Sequence, residues 1–395
     1  MDNIEKFWLK DVYYVERGDK NVFKISWKMT DYCPYSCSYC YMSDAVEKAR
    51  AKKDNPTQEQ CELIASQFDK YLETHAKPEQ TVWLHLIGGE VAIFDLIGIL
   101  DKIKRLNHIS IATNLYRPLE YWKKLKEYCA SRSIACGLSA SFHLEMLNEE
   151  ERWDFCNKLL ALRIQMKAIV NNDNIEEYKP YFDFVMEHNL PLEITFERDK
   201  ENRGCKLTEE NQKYIDQLRD YQYRRRGDRP YYIAHLKNGE IYKYSSNIAL
   251  LNNTYDGILD FTGFYCNAGE NNLRINQKGV MLRSACRMCS SVMKLGDILN
   301  ENSWIPQEEL TPFICNCCLE NKGYHAKKVL KGCTCFNNTE MWQPGFDRDT
   351  KEYIPTDEKV PDYHSMYVGT NGYLREKRFV GKKNKNGKQN TSRNK

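Results

Sequence analysis

Apolar residues recur with two alternating periods along the first half of the chain. Short runs with strand-like spacing lie near residues 22–29, 82–87, 108–113, 134–141, 163–170 and 191–197, and helical patterns cover roughly 57–74, 92–105, 118–132, 148–161 and 174–189. Asn107 and Pro191 stand among the breakers between them. Such strand–helix alternation predicts an α/β fold, a parallel sheet with helices outside. Six repeats fall short of a closed eight-stranded barrel. The expected architecture is therefore a partial (β/α)6 TIM-like barrel, open on one side, with its site at the C-terminal ends of the strands. Past residue 220 the pattern changes. The stretch Tyr223 to Arg229 reads as a basic, loop-like boundary, and Asn238-Gly239 between two alternating runs predicts a hairpin over 231–244. A second hairpin is expected over Leu273 to Arg283. The chain thus divides into a barrel core over 1–220, a small β-hairpin and helix domain over 221–340, and a C-terminal extension over 341–395.

A length of 395 residues leaves room for two or three domains and a sizeable core. The opening Met1-Asp-Asn-Ile-Glu-Lys6 lacks the basic start and apolar run of a signal peptide. Even the apolar stretch from Leu86 to Leu100 is broken by Glu90 and Asp95, so no membrane span is expected. With 16 Cys and no secretory signal, the composition points to metal sites in a reducing, cytoplasmic compartment rather than to disulfides. Cys61, Cys129, Cys136, Cys156 and Cys205 stand apart and read as small buried hydrophobes. The net charge of +3 is unevenly spread: nine Lys or Arg and one Glu between Arg375 and Lys395 give that stretch +8, which leaves −5 for the rest. This tail is expected to be disordered and solvated, without function of its own, with a weak contact to an acidic partner or nucleic acid as the alternative. Arg224 to Arg226 could hold a phosphate or carboxylate or pair with nearby acids. No internal repeat is evident.

The most informative chemistry lies directly after the first strand, at Cys33, Cys37 and Cys40. Their C-x3-C-x2-C spacing supplies three thiolates from one short loop. That suits a cubane iron-sulfur cluster whose fourth iron has no protein ligand, and an open metal position is where chemistry happens. Zinc is the structural alternative, but zinc sites usually close with four ligands, and no His or second Cys pair follows within the next twenty residues.

On these cysteines the chain resembles the radical S-adenosylmethionine (SAM) superfamily. In that family the spacing belongs to a loop after the first barrel strand, an aromatic residue precedes the third Cys, and SAM chelates the free iron. Tyr39 occupies the aromatic position here, and Phe23 to Thr30 reads as the strand feeding the loop. A second mark is a Gly-Gly-Glu run after the second strand, supplied by Gly88, Gly89 and Glu90. The glycines would allow close backbone approach to a ligand, and the Glu90 carboxylate would accept hydrogen bonds from the methionyl ammonium of SAM. The family's usual Pro after the Glu is Val91, a change in turn stiffness rather than in ligand chemistry. By the same resemblance, the strand ends at Thr113, Asn114, Ser139 and Ser141 would touch SAM, although a polar strand end is also an ordinary turn or cap. His143 could donate a proton or bind substrate, and it reads equally as structural.

The second half resembles the auxiliary-cluster modules called SPASM and twitch domains. There one Cys precedes a hairpin, one follows it, and a C-x2-C pair closes the site. By that resemblance Cys266, Cys286, Cys315 and Cys318 would hold a second, fully ligated [4Fe-4S] cluster that transfers electrons or stabilises the fold. The run for a further auxiliary cluster in full SPASM domains is absent. Cys289, Cys317, Cys333 and Cys335 leave the ligand choice open, and zinc on four of these cysteines remains the alternative.

The resemblance implies a radical SAM enzyme. An electron from an external donor of the flavodoxin or ferredoxin type would cleave SAM to a 5′-deoxyadenosyl radical that abstracts hydrogen from substrate. Oxidation of a peptide or protein is the first expectation, and dehydrogenation of a small molecule such as an aminocyclitol or sugar the second. From a different class, a non-catalytic zinc or nucleic-acid-binding protein explains neither Gly88-Gly89-Glu90 nor the strand–helix alternation.

Overall fold

The computed structural model describes residues 12–17, 21–40, 42–52, 55–196, 207–226, 232–244, 264–283, 294–314, 340–343 and 345–353. Six parallel strands follow one another across the main sheet: β2 (Val22–Thr30), β3 (Thr81–Gly88), β4 (His108–Thr113), β5 (Ala135–Phe142), β6 (Gln165–Val170) and β7 (Leu192–Phe196), with β1 (Val12–Arg17) preceding them in the chain. Between them run α1 (Ser43–Lys52), α2 (Gln58–Ser66), α3 (Phe68–His75), α4 (Leu96–Leu100), α5 (Leu119–Ser131), α6 (Glu149–Leu162) and α7 (Ile175–Glu187), and α8 (Glu209–Arg226) follows β7. This is the expected mixed α/β architecture with a parallel sheet, consistent with a partial barrel.

Burial explains why the strands take this form. Phe23, Ile25, Trp27 and Met29 of β2 alternate with half-buried residues, and they join Leu84, Ile109, Leu138, Met166 and the inner faces of the helices in one apolar core. Full burial of each large side chain there contributes about 1.5–3 kcal/mol relative to exposure. Helix starts are set locally: Thr57 with Gln60 and Asn148 with Glu151 form reciprocal capping boxes at α2 and α6.

Several elements depart from the sequence expectation. The helix expected over 57–74 is two helices, α2 and α3, which meet at Gln67. The one expected over 92–105 shrinks to a 3-10 turn at Val91–Ile93 and the short α4, because Phe94 is extended and the Asp95 side chain caps Ile97 N. The basic stretch expected as a loop from Tyr223 is helical as far as Arg226, the end of α8. Helix α1 and strand β1 had no counterpart in the pattern.

Beyond α8, β8 (Tyr232–Leu236) and β9 (Ile241–Tyr244) form the hairpin expected from Asn238-Gly239, with Gly239 at φ +87° where the tight turn requires it. After β10 (Tyr265–Cys266), β11 (Asn272–Ile275) and β12 (Val280–Leu282) form the second hairpin, followed by β13 (Lys294–Asp297), β14 (Phe313–Ile314) and β15 (Met341–Trp342). This hairpin is not set apart from the first half. β11 pairs parallel to β2, Leu273 against Ile25 and Ile275 against Trp27, so the main sheet has nine strands in the order β13-β12-β11-β2-β3-β4-β5-β6-β7. A second sheet, β14-β10-β15-β1-β8-β9, packs Tyr14 against Trp342 and Phe346.

Candidate active site

The C-terminal edge of the main sheet gathers the cysteine loop and the strand ends beside it. β2 stops at Thr30, and Cys33, Cys37 and Cys40 follow in irregular backbone. None of the three is in a disulfide; Cys37 is buried, and Cys33 and Cys40 are half-buried. Burial pushes the Cys33 thiol up to about 11 and the Cys37 thiol up to about 12, and the neighbouring thiols add to both shifts. Cys33 and Cys37 therefore keep their protons at neutral pH unless a metal replaces them, which suits metal-ligating donors.

The loop is held by backbone contacts that only glycine allows. Gly89 N donates to Thr30 O at 2.9 Å and Glu90 N to Tyr32 O at 2.8 Å. A Cβ on Gly89 would lie 2.0 Å from Tyr32 O, and one on Gly88 2.5 Å from Thr30 O. The glycines therefore bring the end of β3 against the backbone that leads into Cys33, a close approach within the protein rather than to a ligand. From α1, Arg50 clamps the other side, donating from Nη2 to Cys33 O at 2.6 Å and to Tyr35 O at 2.9 Å, and from Nη1 to Ser36 Oγ at 2.6 Å.

Glu90 is fully buried beneath this loop. Its Oε1 accepts from Ala92 N and from Thr113 Oγ1, each at 2.9 Å, and its Oε2 from Asn114 N at 2.6 Å. Burial pushes the carboxyl up to about 7 against these three donors. The carboxylate thereby ties the end of β3 to the end of β4, and Asn114 Nδ2 in turn reaches to 3.9 Å from Cys33 Sγ.

His143, just past β5, meets the loop from the opposite side. Its Nδ1 lies 3.3 Å from Cys37 Sγ and 2.9 Å from Tyr39 Oη, and its ring stacks on Tyr39 with centroids 5.9 Å apart. Burial lowers its pKa to about 4, so the ring is neutral at pH 7, with one nitrogen carrying hydrogen and one open. Glu145 accepts from Ser38 N on the same side.

Residues 27–168 match the radical SAM superfamily model. This part of the chain is a radical SAM domain. A comparison with the curated proteins finds none that matches. Superfamily members are enzymes that use a [4Fe-4S] cluster and SAM, with an electron donor and a substrate. The matched span runs from Trp27 in β2 to Ala168 in β6 and so contains the cysteine loop, Gly88 to Glu90, and the ends of β4 and β5. No helix among the described residues is long and apolar enough to cross a membrane.

Within the radical SAM domain, the structure brings Cys33, Cys37, Cys40, Tyr39, Gly88, Gly89, Glu90, Thr113 and Asn114 to one edge of the sheet. Tyr39 is buried with its hydroxyl on His143. Ser139 and Ser141 lie instead on the helix-free face of β5, where Ser139 Oγ donates to Gln165 Oε1 at 3.3 Å. Arg50 carried no motif, so its clamp on the loop was not legible in the sequence. His143 had only the weak signal of a polar residue at a strand end. Cys61, Cys129 and Cys156 are fully buried as expected, whereas Cys136 is half-buried. Cys266 is fully buried on β10. Cys205, Cys286, Cys289, Cys315, Cys317, Cys318, Cys333, Cys335 and the tail from Arg375 lie outside the described residues.

Proposed function

We propose that the protein is a radical SAM enzyme whose reactive cluster is held by Cys33, Cys37 and Cys40. The observation that carries this reading is the loop itself: three thiols from one short loop, fixed by Gly89, Arg50 and His143 at the strand ends of a radical SAM domain. Among the described residues no three His, Cys, Asp or Glu side chains converge tightly enough for a single metal ion. The C-x3-C-x2-C spacing offers a cubane one thiolate at each of three iron corners, whereas structural zinc closes with four protein ligands, which favours the cluster over zinc. When bound, the cluster and SAM supply a 5′-deoxyadenosyl radical for hydrogen abstraction from substrate.

The protein's own groups prepare this site. Arg50 and the backbone bonds of Gly89 and Glu90 fix the positions of the thiols, and Glu90 keeps the ends of β3 and β4 together. In the tautomer with hydrogen on Nδ1, neutral His143 donates to the Cys37 thiolate. Tyr39, Glu90, Thr113, Asn114, Ser139 and Ser141, with the Gly88–Gly89 backbone, remain the candidate SAM contacts. Of these, Glu90 and Tyr39 act here through the internal bonds described above.

An auxiliary [4Fe-4S] cluster on Cys266, Cys286, Cys315 and Cys318, in the 221–340 segment, belongs to the same proposal. Its support is the meeting of three chain segments. β10 ends at Cys266 and pairs with β14, which stops at Ile314, the residue before Cys315. Arg283, close after β12 and three residues before Cys286, donates to Thr311 O at 2.6 Å, and the Cys266 side chain bears on its charge. Such a cluster would accept an electron from the substrate radical, which makes net oxidation of a peptide or protein the first reading and of a small molecule the second.

Electron paramagnetic resonance of the reduced, reconstituted protein tests this proposal. Addition of SAM should change one cluster signal, which Cys37→Ala should abolish. Cys266→Ala should lower the iron content by about half while leaving the SAM-responsive signal. Zinc in place of iron would contradict the proposal, as would a signal indifferent to SAM.

A further inference from the structure

The helix-free face of the main sheet carries side chains that the cysteine loop and its braces do not use. A parallel sheet covered on both faces reads as near-continuous apolar runs. Here burial alternates on every inner strand, and the positions that face away from the helices are half-buried and mostly polar. The register aligns Arg274 of β11 with Ser26 of β2 and His85 of β3, and Lys24 with Trp83 and His108. Lys167 of β6 lies opposite Ser141 and Glu193 and pairs with Glu193 at 3.2 Å. Nearer the cysteine loop, Lys28 is paired with Asp31.

This face is therefore basic. Among the described residues, Lys24, Lys28, Lys167, Arg274 and, on the edge strand, Lys294 stand on it against Glu193, Asp31 at its rim and Asp297 on the edge strand. No ion pair engages Lys24 among those residues. His85 is drawn in the same direction. Its Nδ1 is shielded from solvent and has no hydrogen-bond partner. Burial first, and then the charges of Lys24, Lys167 and Arg274, drive its pKa well below the ordinary value. A neutral imidazole with an unused nitrogen, in the field of three cations, is an arrangement that an oxyanion would complete.

We infer that this face binds the anionic end of the substrate, a carboxylate or phosphate, with Lys24 and Arg274 as its charged donors and His85 as a neutral one. The inference rests on the proposal that the site above receives a substrate, and it names that substrate's chemical class. Ser26 lies four residues before Thr30, so at a strand rise of about 3.3 Å the anion sits roughly 13 Å below the cysteine loop. The substrate is then long enough to span that distance between its anionic end and its reacting carbon.

Calorimetric titration of pyrophosphate and of succinate into the reconstituted full chain tests the inference without turnover. The wild type should bind at least one of the two, and the preference between them identifies a phosphate or a carboxylate. Lys24→Gln should weaken that binding by about tenfold or more. Lys24→Arg, which keeps the charge, and Lys104→Gln, on the outer surface, should stay near wild type. Failure of both anions to bind at about 10 mM would overturn the inference, as would undiminished binding by Lys24→Gln or equal weakening by Lys104→Gln. Release of 5′-deoxyadenosine by the wild type is read separately, so the radical SAM proposal and the anion site can fail independently.

Discussion

Single residues at the end of β3 decide whether the cysteine loop can form. A methyl group on Gly89 would overlap the Tyr32 carbonyl, so Gly89→Ala must push apart two backbones that hydrogen-bond to each other. The expected cost is about 3 kcal/mol of stability with loss of reconstituted iron, measured by thermal unfolding and iron analysis. Glu90 predicts a pH signature in the metal-free protein. Its carboxyl titrates near 7 in the folded chain and near the ordinary 4.5 in the unfolded one, so the folded state holds the proton longer. Its contribution is present in full below about pH 4.5 and is lost as pH rises to about 7, a change on the order of 3 kcal/mol. Denaturant unfolding of Glu90→Gln across that window should lack this slope. The motif Gly88-Gly89-Glu90 was legible in the sequence, but its local work was not. Spacing reveals that a glycine is needed, not whether a ligand or the protein's own backbone comes close.

At the level of elements, the six parallel strands were readable because helices seal one face of each and leave the other half-exposed, which imposes a two-residue period. The second hairpin was readable as a hairpin, but its place in the fold was not. Nothing local to Leu273 or Ile275 indicates that they align with Ile25 and Trp27 of a strand far back in the chain. Strand β1 was missed for a similar reason, since its partners β8 and β15 come from remote segments. Because Ile275 is fully buried in the main core, Ile275→Ala should destabilise the radical SAM domain itself, by about 3 kcal/mol. Denaturant unfolding monitored by tryptophan fluorescence, with Trp27 and Trp122 buried in the same core, should shift as one transition. A second, separate transition would show that the hairpin folds independently of the sheet.

In the whole molecule, one chain builds two sheets. The parallel sheet presents the cysteine loop at its C-terminal edge and a basic face beneath it, and the second sheet carries Cys266. The chemistry of the first site was apparent from three cysteines, while the basic face emerged only when the register brought Lys24, His85 and Arg274 together from three separate strands. The central claim is that the loop supports SAM cleavage. It is tested most directly by 5′-deoxyadenosine formation from SAM with dithionite, using anaerobically reconstituted wild type and Cys37→Ala. The account predicts product from the wild type, with about eight irons bound, and none from Cys37→Ala. Iron-loaded wild type that leaves SAM intact, or a Cys37→Ala variant that cleaves it equally well, would contradict the account.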